Sequence, residues 1–211
     1  MENFDYIGAA LSLSVLAFSV IVHEVAHGYV AYLLGDPTAQ MANRLTFNPL
    51  HHIDPMGSVI LPLILALSRS SVMLGWAKPV PIDPRYFRNP RRDNLLVSAA
   101  GVTANMLLAV CCGLVFRVLK PDLEGGLAAL LFMACTTNVG LAVFNMVPIP
   151  PLDGSHVVAT FMPRRMAEQY MALSQFGFLL IFGLLYAGMM GRVVMPVIWF
   201  LDAILLGLPF G

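Results

Sequence analysis

Long apolar stretches alternate with short polar ones along this chain, and most of the apolar stretches have the length a membrane demands. Runs at 6–34, 94–119, 125–147, 174–190 and 193–208 approach or exceed the ~20 helical residues needed to cross a hydrocarbon core about 30 Å thick. They predict an all-α polytopic membrane protein with about five spanning helices. A further run at 57–67 is shorter and gives way to Ser68-Arg69-Ser70-Ser71 before 72–76, a break that predicts a re-entrant or interfacial segment. Between the first and second helices, 35–93 is rich in Pro, which excludes long helices. Within it Lys78-Pro79-Val80-Pro81-Ile82 should be extended, because Pro restricts its own φ and the residue before it. That piece predicts a small edge-strand (β) element.

Composition supports the membrane reading. Of 211 residues 58% are hydrophobic and 11% charged, too little charge to cover a soluble surface. No Ser/Gly-rich or charge-rich linker interrupts the apolar runs, so 1–211 reads as a single membrane-embedded domain. A net charge of zero gives no electrostatic case for nucleic acid, and the basic cluster at 85–92 reads as a cytoplasmic anchor. Cys111, Cys112 and Cys135 lie inside apolar runs without CxxC spacing, which points away from a disulfide framework or thiolate metal site. The first run lacks a basic start and a small-residue cleavage site and is expected to stay in the mature protein. Arg44, Arg69, Lys78, Arg85, Arg88, Arg91, Arg92, Arg164 and Arg165 gather on one side if 35–93 begins and ends there, against Arg117, Lys120 and Arg192 opposite. The basic side should be cytoplasmic, with the N-terminus outside and the C-terminus inside a cell (inner or plasma) membrane.

The chemistry concentrates in His23-Glu24-Val25-Ala26-His27, near the end of the first helix. A spacing of four stacks the two imidazoles one turn apart on one face, as two metal ligands require, while Glu24 projects from the adjacent face as a base. Ionisable groups inside a spanning helix cost roughly 2.5–3.5 kcal/mol each, so three within one turn must be compensated, and a shared metal does so. A catalytic zinc takes three protein ligands and keeps one position for water. Asp153 is the candidate third: it follows Pro148, Pro150 and Pro151, which end the preceding helix, and precedes Gly154, which allows a tight turn. For the two ends to meet, 35–93 must return the chain to the side it left, as the Lys/Arg distribution also requires.

The sequence resembles the site-2 protease family of intramembrane zinc metalloproteases, in particular its short prokaryotic members without regulatory domains. The resemblance rests on HEVAH at 23–27, RLTFNPLHHIDPMG at 44–57, GWAKPVPIDPRYFRNPRR at 75–92, SAAGVTAN at 98–105 and NMVPIPPLDGSHV at 145–157. It departs at Gly101-Val102, where a Gly-Pro is usual. The resemblance implies a zinc endopeptidase with one Zn2+ per chain on His23, His27 and Asp153 and with Glu24 activating water. Its substrate would be a single-span membrane protein or membrane-bound peptide. It also implies that Asn145 and Asn105 lie near the substrate or transition state. The catalytic core would span about 6–157, followed by C-terminal helices at about 174–208.

Other polar residues have simpler readings. Asn138 shares a helix face with Asn145 and reads as an interhelical hydrogen-bonding group. His51 and His52 read as loop caps, with a further zinc ligand or a pH sensor as the alternatives, His156 is left without an assigned role although it lies three residues past Asp153, and Asp202 is a lone carboxylate in an apolar helix that needs a partner. Transport and a non-catalytic binding protein on the same scaffold are the rival function classes, but no internal repeat of the transporter kind is evident, Glu24 beside the ligands suits hydrolysis better, and the intact quartet argues against a non-catalytic scaffold.

Overall fold

The computed structural model describes residues 6–60, 64, 77–122, 125–188 and 190–209. The expected re-entrant segment falls largely outside them. Its described start, Pro55–Ile60, is a single wide π-helical turn. The helices are α1 (Tyr6–Leu33), α2 (Thr38–Met41), α3 (Pro90–Leu119), α4 (Gly126–Asn145), α5 (Asp153–Phe161), α6 (Arg164–Met171), α7 (Gly177–Tyr186) and α8 (Met195–Leu206). Three of them, α1, α3 and α4, are long and apolar enough to cross a membrane. Of the other two expected spans, the first is a short helix in a bent pair, 164–176 and 179–186, turned by 75°. The second is a π turn, Met190–Val194, running into the twelve residues of α8. The sequence pattern thus overestimates continuous helix at the C-terminal end, where Gly183, Gly188 and Gly191 punctuate the apolar run.

The three long helices pack through matching stripes. On α1 the polar residues Ser19, His23 and His27 recur every four positions, so they line one face, and Leu13, Leu16 and Phe18 stay exposed elsewhere on the helix. The facing stripe on α3 is Val97, Gly101 and Asn105, met in reverse order: His27 contacts Val97, and both His23 and Ser19 contact Asn105. Thus α1 and α3 run antiparallel, and 34–89 leaves and rejoins the bundle at the same end, as the site's geometry demanded. Pro90 opens α3 at a position where its missing N–H is no loss, and the Asp93 carboxylate reaches back to accept from the Asn89 N–H at 2.9 Å.

A second seam joins α3, α4 and α8 through Ala109, Phe116, Ala128, Cys135, Val139, Ile198 and Leu206. Its small members let backbones approach closely, the usual basis of helix association where lipid removes the hydrophobic driving force.

The loop carries no strand among the described residues, and Lys78–Ile82 has no regular secondary structure. Its backbone is engaged by other parts of the chain instead. Arg44 donates to the Lys78 and Pro79 carbonyls at 2.8 and 2.9 Å, the Lys78 N–H donates to the His52 carbonyl, and the Val80 N–H donates to Glu24. Pro79 and Pro81 have no N–H to offer a neighbouring strand. Asp36, fully buried, anchors the rest by accepting from the Thr38 and Asp83 N–H groups at 2.9 and 2.7 Å.

Candidate metal centre

Three donor atoms converge where α1, α3 and the start of α5 meet. His23 Nε2 and His27 Nε2 lie 2.9 Å apart, and Asp153 Oδ2 lies 3.1 and 3.3 Å from them. Both imidazoles are buried and the carboxylate nearly so. No other group of three His, Cys, Asp or Glu side chains among the described residues offers such a cluster.

The far nitrogens explain why this arrangement needs a cation. His27 Nδ1 faces the Val97 carbonyl at 2.7 Å, and a carbonyl only accepts, so Nδ1 carries the hydrogen. His23 Nδ1 faces the Asn105 side-chain oxygen at 2.6 Å. Neutral rings with their hydrogens committed there point lone pairs from both Nε2 atoms at each other and at a carboxylate oxygen. Asp153 Oδ2 is buried and has no hydrogen-bonded partner. Three acceptors packed this closely repel unless a positive charge sits among them. Their separations approach the ~3.3 Å that tetrahedral bonds of about 2.0–2.1 Å to His and carboxylate would set. The residues therefore fit a metal ion.

Backbone detail places each donor. At Gly101 any side chain would collide with the ligands: a Cβ there would stand 2.4 Å from His27 Nε2 and 2.7 Å from His23 Nε2. The absent side chain is the space in which the donors meet. On the other flank, α4 ends and a turn through Pro148, Pro150 and Pro151 reverses the chain, so that Asp153 becomes the first residue of α5. A carboxylate in a first helical turn also faces the positive end of the helix dipole. Gly154 packs so tightly on this turn that a Cβ would meet the Met146 carbonyl at 2.2 Å.

Glu24 lies beside the cluster, half-buried, with Oε2 accepting from the Val80 N–H at 2.7 Å. Asn105 is fully buried against His23. Asn145 is half-buried at the end of α4, its amide donating to the Leu141 carbonyl at 3.0 Å. His156, one turn past Asp153, is held below the usual imidazole range by burial, against the pull of Asp153. His51 is exposed, and His52 is buried with Nε2 donating to the Thr46 carbonyl, so both stay outside the cluster. Sequence alone points to His23, Glu24, His27 and Asp153 as candidates, but not to the packing of Gly101 on the imidazoles, the Val80 N–H on Glu24 or the burial of Arg44. An invariably tight contact leaves no trace in composition, although Gly101 and Asn105 one turn apart, opposite a His pair of the same spacing, were a usable signal.

An apolar helical bundle that buries a two-histidine, one-aspartate cluster with a glutamate alongside defines a class of membrane metalloprotein. The profile of peptidase family M50 matches residues 120–184, the stretch that contains Asp153. YwhC of Bacillus subtilis, named as a candidate zinc metalloprotease, is 34% identical over 206 residues, covering 92% of this chain and 90% of that one. Rip2 of Mycolicibacterium smegmatis, named in the same way, is 30% identical over 209 residues, covering 96% and 77%. Rip2 of Mycobacterium tuberculosis is 33% identical over 140 residues, covering 64% and 51%. No solved structure matches the chain significantly. The chain belongs to peptidase family M50, the site-2 protease family.

Proposed function

We propose that this protein is a zinc endopeptidase that hydrolyses peptide bonds of membrane-spanning substrates, with His23, His27 and Asp153 holding one Zn2+ and Glu24 acting as general base. The observation that carries the reading is the convergence of two Nε2 lone pairs and an otherwise unpartnered carboxylate oxygen within 3.3 Å of one another. The names of the relatives support zinc as the metal.

Zinc bound there supplies a Lewis acid that acidifies water and polarises the scissile carbonyl. The chain's own residues do the rest. Glu24 takes the proton from the attacking water and delivers it to the leaving amine. The Val80 N–H, bonded to Oε2, fixes the carboxylate's direction and leaves the second oxygen for that proton. Asn145, near the turn that delivers Asp153, is the amide placed to reach a substrate carbonyl once it releases Leu141. A substrate helix has its backbone groups internally paired and must unwind before its carbonyl is open to attack. The Lys/Arg-rich end of the bundle, which holds the site, faces the cytoplasm in this reading. Partners are then the bilayer and a single-span protein or membrane-bound peptide.

The test is cleavage of single-span test substrates by purified, detergent-solubilised protein, with zinc quantified. Wild type should cleave, Glu24→Gln should keep zinc and lose cleavage, and Asp153→Ala should lose both. Cleavage by Glu24→Gln at the wild-type rate would overturn the assignment of the base.

A further inference from the structure

On the side of His23 away from the metal donors, three polar side chains fill a buried space between α1, α3 and α4. Ser19, Asn105 and Asn138 are 1%, 0% and 2% exposed. Asn105 donates from Nδ2 to the Ser19 carbonyl at 3.1 Å and to Asn138 Oδ1 at 2.8 Å. Asn138 donates from Nδ2 to the Ala134 carbonyl at 2.9 Å and to Ser19 Oγ at 2.9 Å. Each amide has two N–H hydrogens, and each finds two acceptors.

We propose that Asn138 and Asn105 are positioning residues that form a one-way relay, fixing His23 as the Nδ1–H tautomer and so presenting its Nε2 lone pair to the metal. The direction follows from the two main-chain carbonyls, which can only accept. The Ala134 carbonyl turns the Asn138 NH2 toward itself, which sends Oδ1 toward Asn105. Asn105 must then offer NH2 on that side, and the Ser19 carbonyl demands the same of it independently. The remaining face of Asn105 is its oxygen, which meets His23 Nδ1 at 2.6 Å and obliges that nitrogen to carry the hydrogen. Reversing either amide would set acceptor against acceptor and donor against donor. Where no water can intervene, each group left unsatisfied costs about 1–3 kcal/mol. His27 obtains the same tautomer from the Val97 carbonyl directly, so the relay serves one ligand of the pair. Asn138 thereby acquires a function beyond joining helices, and Asn105 acts through the ligand from behind.

This inference rests on the metal-site reading above, and the experiment separates the two. Wild type, Asn138→Leu, Ser19→Ala and Thr136→Val are compared by zinc affinity, using chelator competition, and by thermal unfolding. Histidine-selective 15N spectra of wild type, zinc-free and zinc-loaded, report the His23 tautomer, its signal assigned by its loss in His23→Gln. The expectation is an Nδ1–H signature for His23 in wild type and about 10–100-fold weaker zinc binding in Asn138→Leu. Ser19→Ala keeps both carbonyls and should change affinity less than about threefold, well inside the range of supporting-residue losses. Thr136→Val breaks a different contact of α4, with Asp202, and should lower stability while leaving zinc affinity unchanged. Unaltered zinc affinity in Asn138→Leu, or a wild-type His23 with hydrogen on Nε2, would overturn the relay. Should Asn138→Leu fail to fold, the wild-type spectrum decides alone. A wild type that binds no zinc yet shows Nδ1–H at His23 would sink the metal reading and leave the relay standing.

Discussion

Two acidic side chains, Asp202 and Asp153, meet different surroundings. Asp202, on α8, is a satisfied acceptor: Thr136 donates to Oδ2 at 2.9 Å, and Cys135 lies 3.9 Å from Oδ1. Asp153 turns Oδ2 toward two imidazole lone pairs and receives no hydrogen bond there. One carboxylate is built into packing between helices, and the other is left wanting a cation. The contrast teaches that burial of charge alone does not mark a metal site. The sign and direction of the neighbouring polar groups do.

The largest effect should come from removing the unsatisfied carboxylate. Asp153→Ala is expected to take zinc content from one per chain to near none, read by elemental analysis of purified protein, because two imidazoles do not complete a three-ligand site. Next comes the space between the ligands. Gly101→Ala places a methyl group on both Nε2 positions and should both cut zinc content and cost about 1–3 kcal/mol of overpacking, read by thermal unfolding in detergent. At the other carboxylate, Thr136→Val should lower stability by about 0.6–2 kcal/mol, the range for interhelical hydrogen bonds, with zinc content intact. Loss of zinc in Thr136→Val would erase the distinction between the two carboxylates.

The smallest effect belongs to the exposed Arg85 and its half-buried partner Asp83, 2.6 Å apart. Arg85→Ala should leave cleavage and thermal stability unchanged within error. The hydrogen bonds from Arg85 hold the Asp83 carboxyl below its ordinary 3.8. Its contribution is therefore complete above that value and fades as pH falls through the lower folded one. Arg85→Ala and wild type should show parallel stability between pH 5 and 9, and a divergence there would show that the pair acts through some other group.

Much of the site was legible because helical spacing is visible in sequence. A His pair at four residues, a glutamate between them and a proline-flanked Asp-Gly each carry their geometry in their order. The long apolar runs announced α1, α3 and α4 for the same reason. What escaped the reading depends on contacts between segments distant in sequence. Arg44 looked like a cytoplasmic charge, yet it is buried and straps Lys78 and Pro79. The alternating prolines at 79 and 81 suggested an edge strand, yet side chains take the backbone groups that a strand would share. Asn105 was assigned by resemblance to the substrate, while its packing sets it behind His23. No local pattern distinguishes an amide facing a ligand from one facing a substrate, because that depends on which carbonyls lie opposite.

The turn that carries Asp153 into place leaves no backbone N–H for solvent to satisfy. From Met146 to Leu152, three residues are prolines with no N–H, and the other four donate within the turn or to the end of α4: Met146 to Ala142, Val147 to Phe144, Ile149 to Val147 and Leu152 to Ile149. With every N–H of the connection paired, none of its backbone donors competes for water near Asp153.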